Sequence, residues 1–182
     1  MSVLGVIPSY VSSQEDLDVL GECLKSIELT AAHLAVIVVD DRSPDPWQGE
    51  VMELATRHGA DFHGRVENQG FSRTVNVGLR RALDSGQHAI LINADIEFMD
   101  EGWVERMLET RNMHQEGLAW VVGALLCFPN GLIQHGGIYF CSPGDEQVLT
   151  LQDGYVPIGQ ISAADHGLVS YSRKEHRIFR CK

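Results

Sequence analysis

Four short stretches hold the residues that could do chemistry: Pro8-Ser9-Tyr10, Asp40-Asp41, Glu67-Asn68-Gln69-Gly70, and Asn93-Ala94-Asp95 with Glu97 just beyond it. The last poses the sharpest question. The run beginning QHAILINADIEF is apolar enough for a buried strand, yet it ends in acids. A carboxylate at the mouth of a core strand loses hydration and must be compensated by a partner or a cation. Taken singly, each stretch is also an ordinary helix cap or turn former. Their meaning depends on whether the fold brings them to one place.

The elements that must position them alternate. VLGVIP, AVIVVDD, ADFHGRV and AILIN are short apolar runs read as strands. Between them lie helical patterns. Glu15 to Leu29 carries Leu17, Leu20, Leu24 and Ile27, and Trp47, Val51 and Leu54 mark a helix stopping near His58-Gly59. Phe71, Val75, Leu79 and Leu83 stripe a third that Gly86 ends, and Gly102 to Gln115 forms a fourth. Continuous rather than period-two apolar runs, in strict alternation with helices, predict an α/β chain: a mostly parallel central sheet with helices on both faces. Ligands of such sheets bind beyond the carboxyl ends of the strands, and all four stretches fall there. After residue 118 the rhythm changes, and AWVVGALLCF, Pro129-Asn130-Gly131 and LIQHGGIYF read as a hairpin or mixed-sheet extension. Trp47, Trp103 and Trp120 take apolar positions and are expected in the core, whereas Arg80-Arg81 reads as a solvated helix face.

Composition narrows the class. The 182 residues suit a single domain, and the net charge of −11 disfavours a nonspecific grip on nucleic acid or anionic membrane. It also means that a polyphosphate ligand needs a cation or local donors. No apolar run is long enough to span a bilayer, and MSVLGVIPSY reads as a strand rather than a signal peptide. Cys23, Cys127, Cys141 and Cys181 lack CxxC spacing and suit reduced thiols in a cytoplasmic protein. The first loop, VIPSYVSSQED, has neither a GxGxxG fingerprint nor a glycine-rich basic segment. A dinucleotide dehydrogenase and a nucleotidyltransferase are therefore disfavoured.

Five segments in order, VIPSY, VVDDRS, ENQGFSRTVNVGL, LINADIEF and FPNGLIQHGG, resemble the family 2 glycosyltransferases of the GT-A fold. The resemblance implies one GT-A, Rossmann-like domain over residues 1–182. A nucleotide-sugar-binding half would cover 1–117, and an acceptor-side half, incomplete, 118–182. It implies a UDP-, GDP- or dTDP-sugar as donor and a saccharide or other hydroxyl as acceptor, with inversion at the transferred carbon. Tyr10 would line the base pocket beside Pro8 and Ser9, and Asp41 would accept a hydrogen bond from a base ring nitrogen. Asn68, Arg73 and Asn76 would line the donor site, with Arg73 a countercharge to phosphate. The family's Asp-x-Asp metal signature aligns with Asn93-Ala94-Asp95, so the first carboxylate has become an amide. Asp95 is then the expected ligand of Mn²⁺ or Mg²⁺, with Asn93 left to hydrogen-bond ribose and Glu97 a second candidate if the strand continues.

The resemblance carries less in the second half. His135 and Gly136 match a segment on the acceptor side. ISAADHGLVSYSRKEHRIF resembles the segment that precedes the family's acidic base motif, but the chain reaches Lys182 before that motif. Truncation, a minimal or defective transferase, and Asp165 serving as base in a reduced site are the three readings this leaves. Asp165 also suits an ordinary turn. His135 and His166 are possible imidazole ligands, but no HxxxH spacing supports a dedicated site. A nucleotide-sugar-binding module without transfer activity is the alternative function.

Overall fold

The computed structural model describes residues 2–113, 122–124 and 126–129, and the backbone alone of short strands at 133–135, 138–139, 150–151, 154–155 and 167–168. The chain forms two compact units, Met1–Arg106 and Met107–Lys182.

The first unit follows the alternation read from the sequence. Strand β1 (Val3–Ser9) leads to helix α1 (Gln14–Ala31), β2 (Ala35–Asp40), α2 (Trp47–Arg57), β3 (Asp61–Gly64), α3 (Phe71–Asp84) and β4 (His88–Leu91); α4 (Trp103–Met113) begins there. The four strands form one parallel sheet in the order β3-β2-β1-β4. Residues of β1 and β2 are buried on both faces, which is why their sequences are continuously apolar. Leu4, Val6, Ile37 and Val39 pack with Ala82 of α3 on one face. Gly5 lies against Leu34, Val36 and Ile92 on the other, where α1 supplies Leu24 and Ile27. Ser13 caps α1 by accepting a hydrogen bond from the Asp16 amide, with Glu15 and Asp16 in the first turn, as the helix dipole favours.

Three details depart from the sequence reading. The buried stripe of α3 is Thr74, Val75, Gly78 and Ala82, while Phe71, Leu79 and Leu83 are exposed. Small residues win that face because the helix lies so close to the sheet that a Cβ on Gly78 would overlap Val6. Strand β4 stops at Leu91, two residues before Asn93, and Ala94-Asp95 form a turn. The strand argument placing Asp95 and Glu97 on one face therefore fails. Trp103 is buried as expected, but Trp47 is only half-buried; Trp120 lies outside the described residues.

The second unit contains an antiparallel pair, β5 (Leu126–Cys127) with β6 (Ile133–His135), as the hairpin reading predicted. Strand β7 (Ile138–Tyr139) pairs with β10 (Gly167–Leu168), and β8 (Thr150–Leu151) with β9 (Gly154–Tyr155), each antiparallel.

Candidate functional site

Register levels the carboxyl ends of three strands. Ser9 sits beside Asp40, and Asp40 beside Gly64, whereas β4 ends three rows lower, with Leu91 beside Val6. The strand order reverses between β1 and β4, so the crevice above that pair is the switch point where parallel sheets take ligands. Tyr10, about half exposed, follows β1 there, and exposed Asn93 and Asp95 follow β4. Pro8 is half-buried and Ser9 buried beneath them.

The two adjacent acids do different work. Asp40 is fully buried and accepts hydrogen bonds from the Ser43 amide and hydroxyl, from Gln48 Nε2 at 2.9 Å, and weakly from Ser9 Oγ at 3.4 Å. Ser43 Oγ in turn accepts from the Val11 amide at 2.8 Å. Asp40 thus ties the loops after β1 and β2 together. Arg42, directly after the two acids, takes a left-handed φ of 62°, an uncommon conformation for a side-chain-bearing residue.

Asp41 accepts from the Gln69 amide at 3.0 Å and the Gly70 amide at 2.7 Å, and Arg65 Nη1 stands 3.8 Å away. Gly70 is the N-cap of α3 at φ 82°, and no side chain of its own caps the helix, so the Asp41 carboxylate, one residue past β2, serves that end. Burial pushes the Asp41 carboxyl up. The Gln69 amide, the Thr74 hydroxyl, the Gly70 amide and Arg65 outweigh burial together, and the net shift is downward. The site therefore holds a buried anion that stays charged at neutral pH. Arg65 also donates to Thr74 Oγ1 at 3.3 Å and to Gln69 Oε1.

Asn68, Arg73 and Asn76 are exposed. Arg73 and Asn76 lie on the side of α3 away from its sheet-packed stripe, with Arg73 in the first turn. Asp95 and Glu97 are exposed, and among the described residues no three His, Cys, Asp or Glu converge into a metal cluster. His135 is described only as backbone in β6; Gly136, Asp165 and His166 lie outside the described residues. A hollow of about 120 Å³ opens at the opposite, amino edge of the sheet, lined by Leu24, Ile27, Leu34, Val36 and Ala60. It faces none of the strand-end groups and is not the candidate site.

Ser43, Gln48, Arg65 and Thr74 had no role in the sequence reading. Ser43 was detectable, since a serine three residues after a strand-end aspartate is a turn-capping pattern. Arg65, Gln48 and Thr74 reach Asp40 or Asp41 from other elements and left no local signal.

Comparison with known proteins agrees with this architecture. The family model for glycosyl transferase family 2 matches residues 6–130. A dolichol-phosphate mannosyltransferase of Pyrococcus furiosus is 29% identical over 101 residues, covering 56% of this chain and 28% of that protein. The chain thus spans little more than a quarter of that relative's length. Among solved structures, the mannosyltransferase PcManGT from Pyrobaculum calidifontis, in complex with GDP-Man and Mn²⁺, superposes with a TM-score of 0.51 at 21% identity. That match covers 69% of this chain and 35% of the other. S. aureus TarS 1-349 in complex with UDP gives 0.49 at 19% identity, over 63% of this chain and 33% of that one. The match over residues 6–130, on a parallel sheet whose motifs meet at its carboxyl edge, places the chain in glycosyl transferase family 2, with the GT-A fold.

Proposed function

We propose that the protein binds a nucleotide-diphosphate sugar over the carboxyl ends of β1 and β2 and transfers the sugar to an acceptor hydroxyl with inversion. The observation that carries this reading is Asp41: buried, held ionised, and adjoining exposed Tyr10 through the Asp41 amide bond to Ser9 O at 2.9 Å. A carboxylate offers about four acceptor sites; the Gln69 and Gly70 amides use two, and the Thr74 hydroxyl bears on a third. What remains suits a ring N–H. Uracil, thymine and guanine present one; cytosine presents a bare ring nitrogen.

Asn68, Arg73 and Asn76 stay exposed for the sugar and phosphates, with Arg73 the countercharge. Asp95, exposed and without a converging cluster, fits a hard cation that draws most of its oxygens from the diphosphate and water. Asp95 would hold Mg²⁺ or Mn²⁺ there, and such a cation would supply charge compensation for a diphosphate leaving group. With a net charge of −11, the protein needs such compensation to hold a pyrophosphate. Asp165 is the proposed base, and His135 with Gly136 the acceptor side.

Thermal-shift measurements with UDP, GDP, dTDP and CDP, each with and without Mn²⁺, test the reading, because a ligand of the folded state raises its stability. A metal-dependent rise with at least one of the first three, and a smaller one with CDP, is expected. No rise with any nucleotide refutes the donor site. The second reading is a nucleotide-sugar-binding module that does not transfer sugar. Release of nucleoside diphosphate from a bound donor separates the two.

A further inference from the structure

Because β4 ends at Leu91, no strand pairing among the described residues holds the segment that carries Asp95. One face of α1 holds it instead. Cys23, Ser26 and Thr30 lie at helical spacing and each meets the segment running from Asn93 to Trp103. Cys23 Sγ donates to Asn93 O at 3.7 Å, Ser26 Oγ accepts from the Phe98 amide at 3.1 Å, and Thr30 Oγ1 accepts from Trp103 Nε1 at 3.0 Å. Phe98 and Trp103 stack on each other, with ring centroids 3.9 Å apart, which closes the segment into a loop.

The two hydroxyls are oriented by the helix itself. Ser26 Oγ donates to Cys23 O at 2.7 Å, and Thr30 Oγ1 donates to Ser26 O at 2.7 Å. Each proton is committed to a carbonyl of the helix itself, so each oxygen faces outward as an acceptor. A serine and a threonine inside a helix carry no local advantage for that helix. Here they read the register of the loop: the Phe98 amide and the Trp103 indole can both be satisfied in one alignment.

We propose that Ser26 and Thr30, with Cys23, form a rail on α1 that sets the position of the Asp95 carboxylate, Ser26 being the principal positioning residue. The inference rests on the reading of Asp95 as the cation-binding group. It is tested on the full chain by hydrogen exchange at the Phe98 amide together with calorimetric titration of UDP and GDP, with and without Mn²⁺. Ser26→Ala is expected to speed Phe98 exchange about tenfold, the effect of leaving a half-buried amide without its partner. It should weaken the Mn²⁺-dependent part of nucleotide binding by a similar factor and leave metal-free binding unchanged. Ser26→Thr keeps the oxygen and is expected to restore both. Unchanged Phe98 exchange in Ser26→Ala overturns the rail. So does faster exchange with undiminished Mn²⁺-dependent binding, since the loop's posture would then not matter to the cation. If the unmodified protein binds neither nucleotide, the donor-site reading fails, and the exchange comparison still decides whether α1 holds the loop. If Ser26→Ala lowers overall stability, Thr30→Val against Thr30→Ser gives the same comparison, read as exchange of the Trp103 indole proton.

Discussion

Replacing Asp41 by Asn tests the central electrostatic claim, because the change keeps size and shape and removes charge. In the protein one carboxylate oxygen faces the Gln69 amide and the other the Gly70 amide. An Asn can satisfy one of them with its carbonyl. Its NH₂ must then face the other amide, donor against donor, at a position only 5% exposed. Hydrogen bonds to a charged acceptor contribute about 1.5–3 kcal/mol each, and a buried donor left unpaired costs about 1–3 kcal/mol. Arg65 also loses its nearest anion. The sum is a destabilisation of about 3 kcal/mol at neutral pH, or a Tm fall of about 6–12 °C for a chain of this length.

The pH dependence supplies a second check. The folded-state pKa of Asp41 is depressed below the ordinary 3.8. Its contribution is therefore present above that value and is lost as pH falls through the folded pKa. Asn cannot titrate, so the stability gap between the two proteins should be full at pH 6–7 and narrow below about pH 4. Urea unfolding of both proteins across pH 3–7 measures it. A gap under about 0.5 kcal/mol at pH 7, or one that does not change with pH, refutes the claim that an ionised Asp41 clamps the end of α3.

Asp95→Ala removes an exposed carboxylate and should leave Tm within about 1 °C of the parent, as surface substitutions do. It should abolish Mn²⁺-dependent nucleotide binding; unchanged affinity by calorimetry takes Asp95 out of the site. Gly78→Ala sets a helix-propensity gain of about 1 kcal/mol against overpacking on Val6 of about 1–3 kcal/mol. A lower Tm is expected, and a higher one would mean that α3 sits farther from the sheet. Burial first, with Asp95 and Glu97 nearby, pushes the Cys23 thiol up to about 12. At pH 8 only about one part in 10⁴ is thiolate. Iodoacetamide should label exposed Cys127 and spare Cys23, as mass spectrometry of the native protein will show.

Much of the fold was legible because its signals are local. A short, β-branched, continuously apolar run such as AVIVVD reads as a strand covered on both faces, and Gly86, at φ 64°, ends its helix where a left-handed residue is needed. The face of α3 was misread for an equally physical reason. Its leucines make the more hydrophobic stripe, but close approach of helix to sheet selects Gly78, Thr74 and Ala82 instead. No periodicity rule contains the distance between two elements.

The site divides along the same line. Which acids stand at strand ends, and that they share an edge, follows from the order of the residues, since alternation dictates parallel strands and parallel strands put their carboxyl ends together. That Asp40 is a structural knot while Asp41 is a charged clamp required the fold. The two are neighbours of identical chemistry, and only the partners differ: Ser43 and Gln48 around one, Gln69, Gly70 and Arg65 around the other. The support of Asp95 by α1 was hidden for the same reason, because Ser26 and Phe98 are 72 residues apart in the chain and 3.1 Å apart in space. Residue type decides what a group can do, whereas its charge state and aim depend on neighbours that only folding brings into reach.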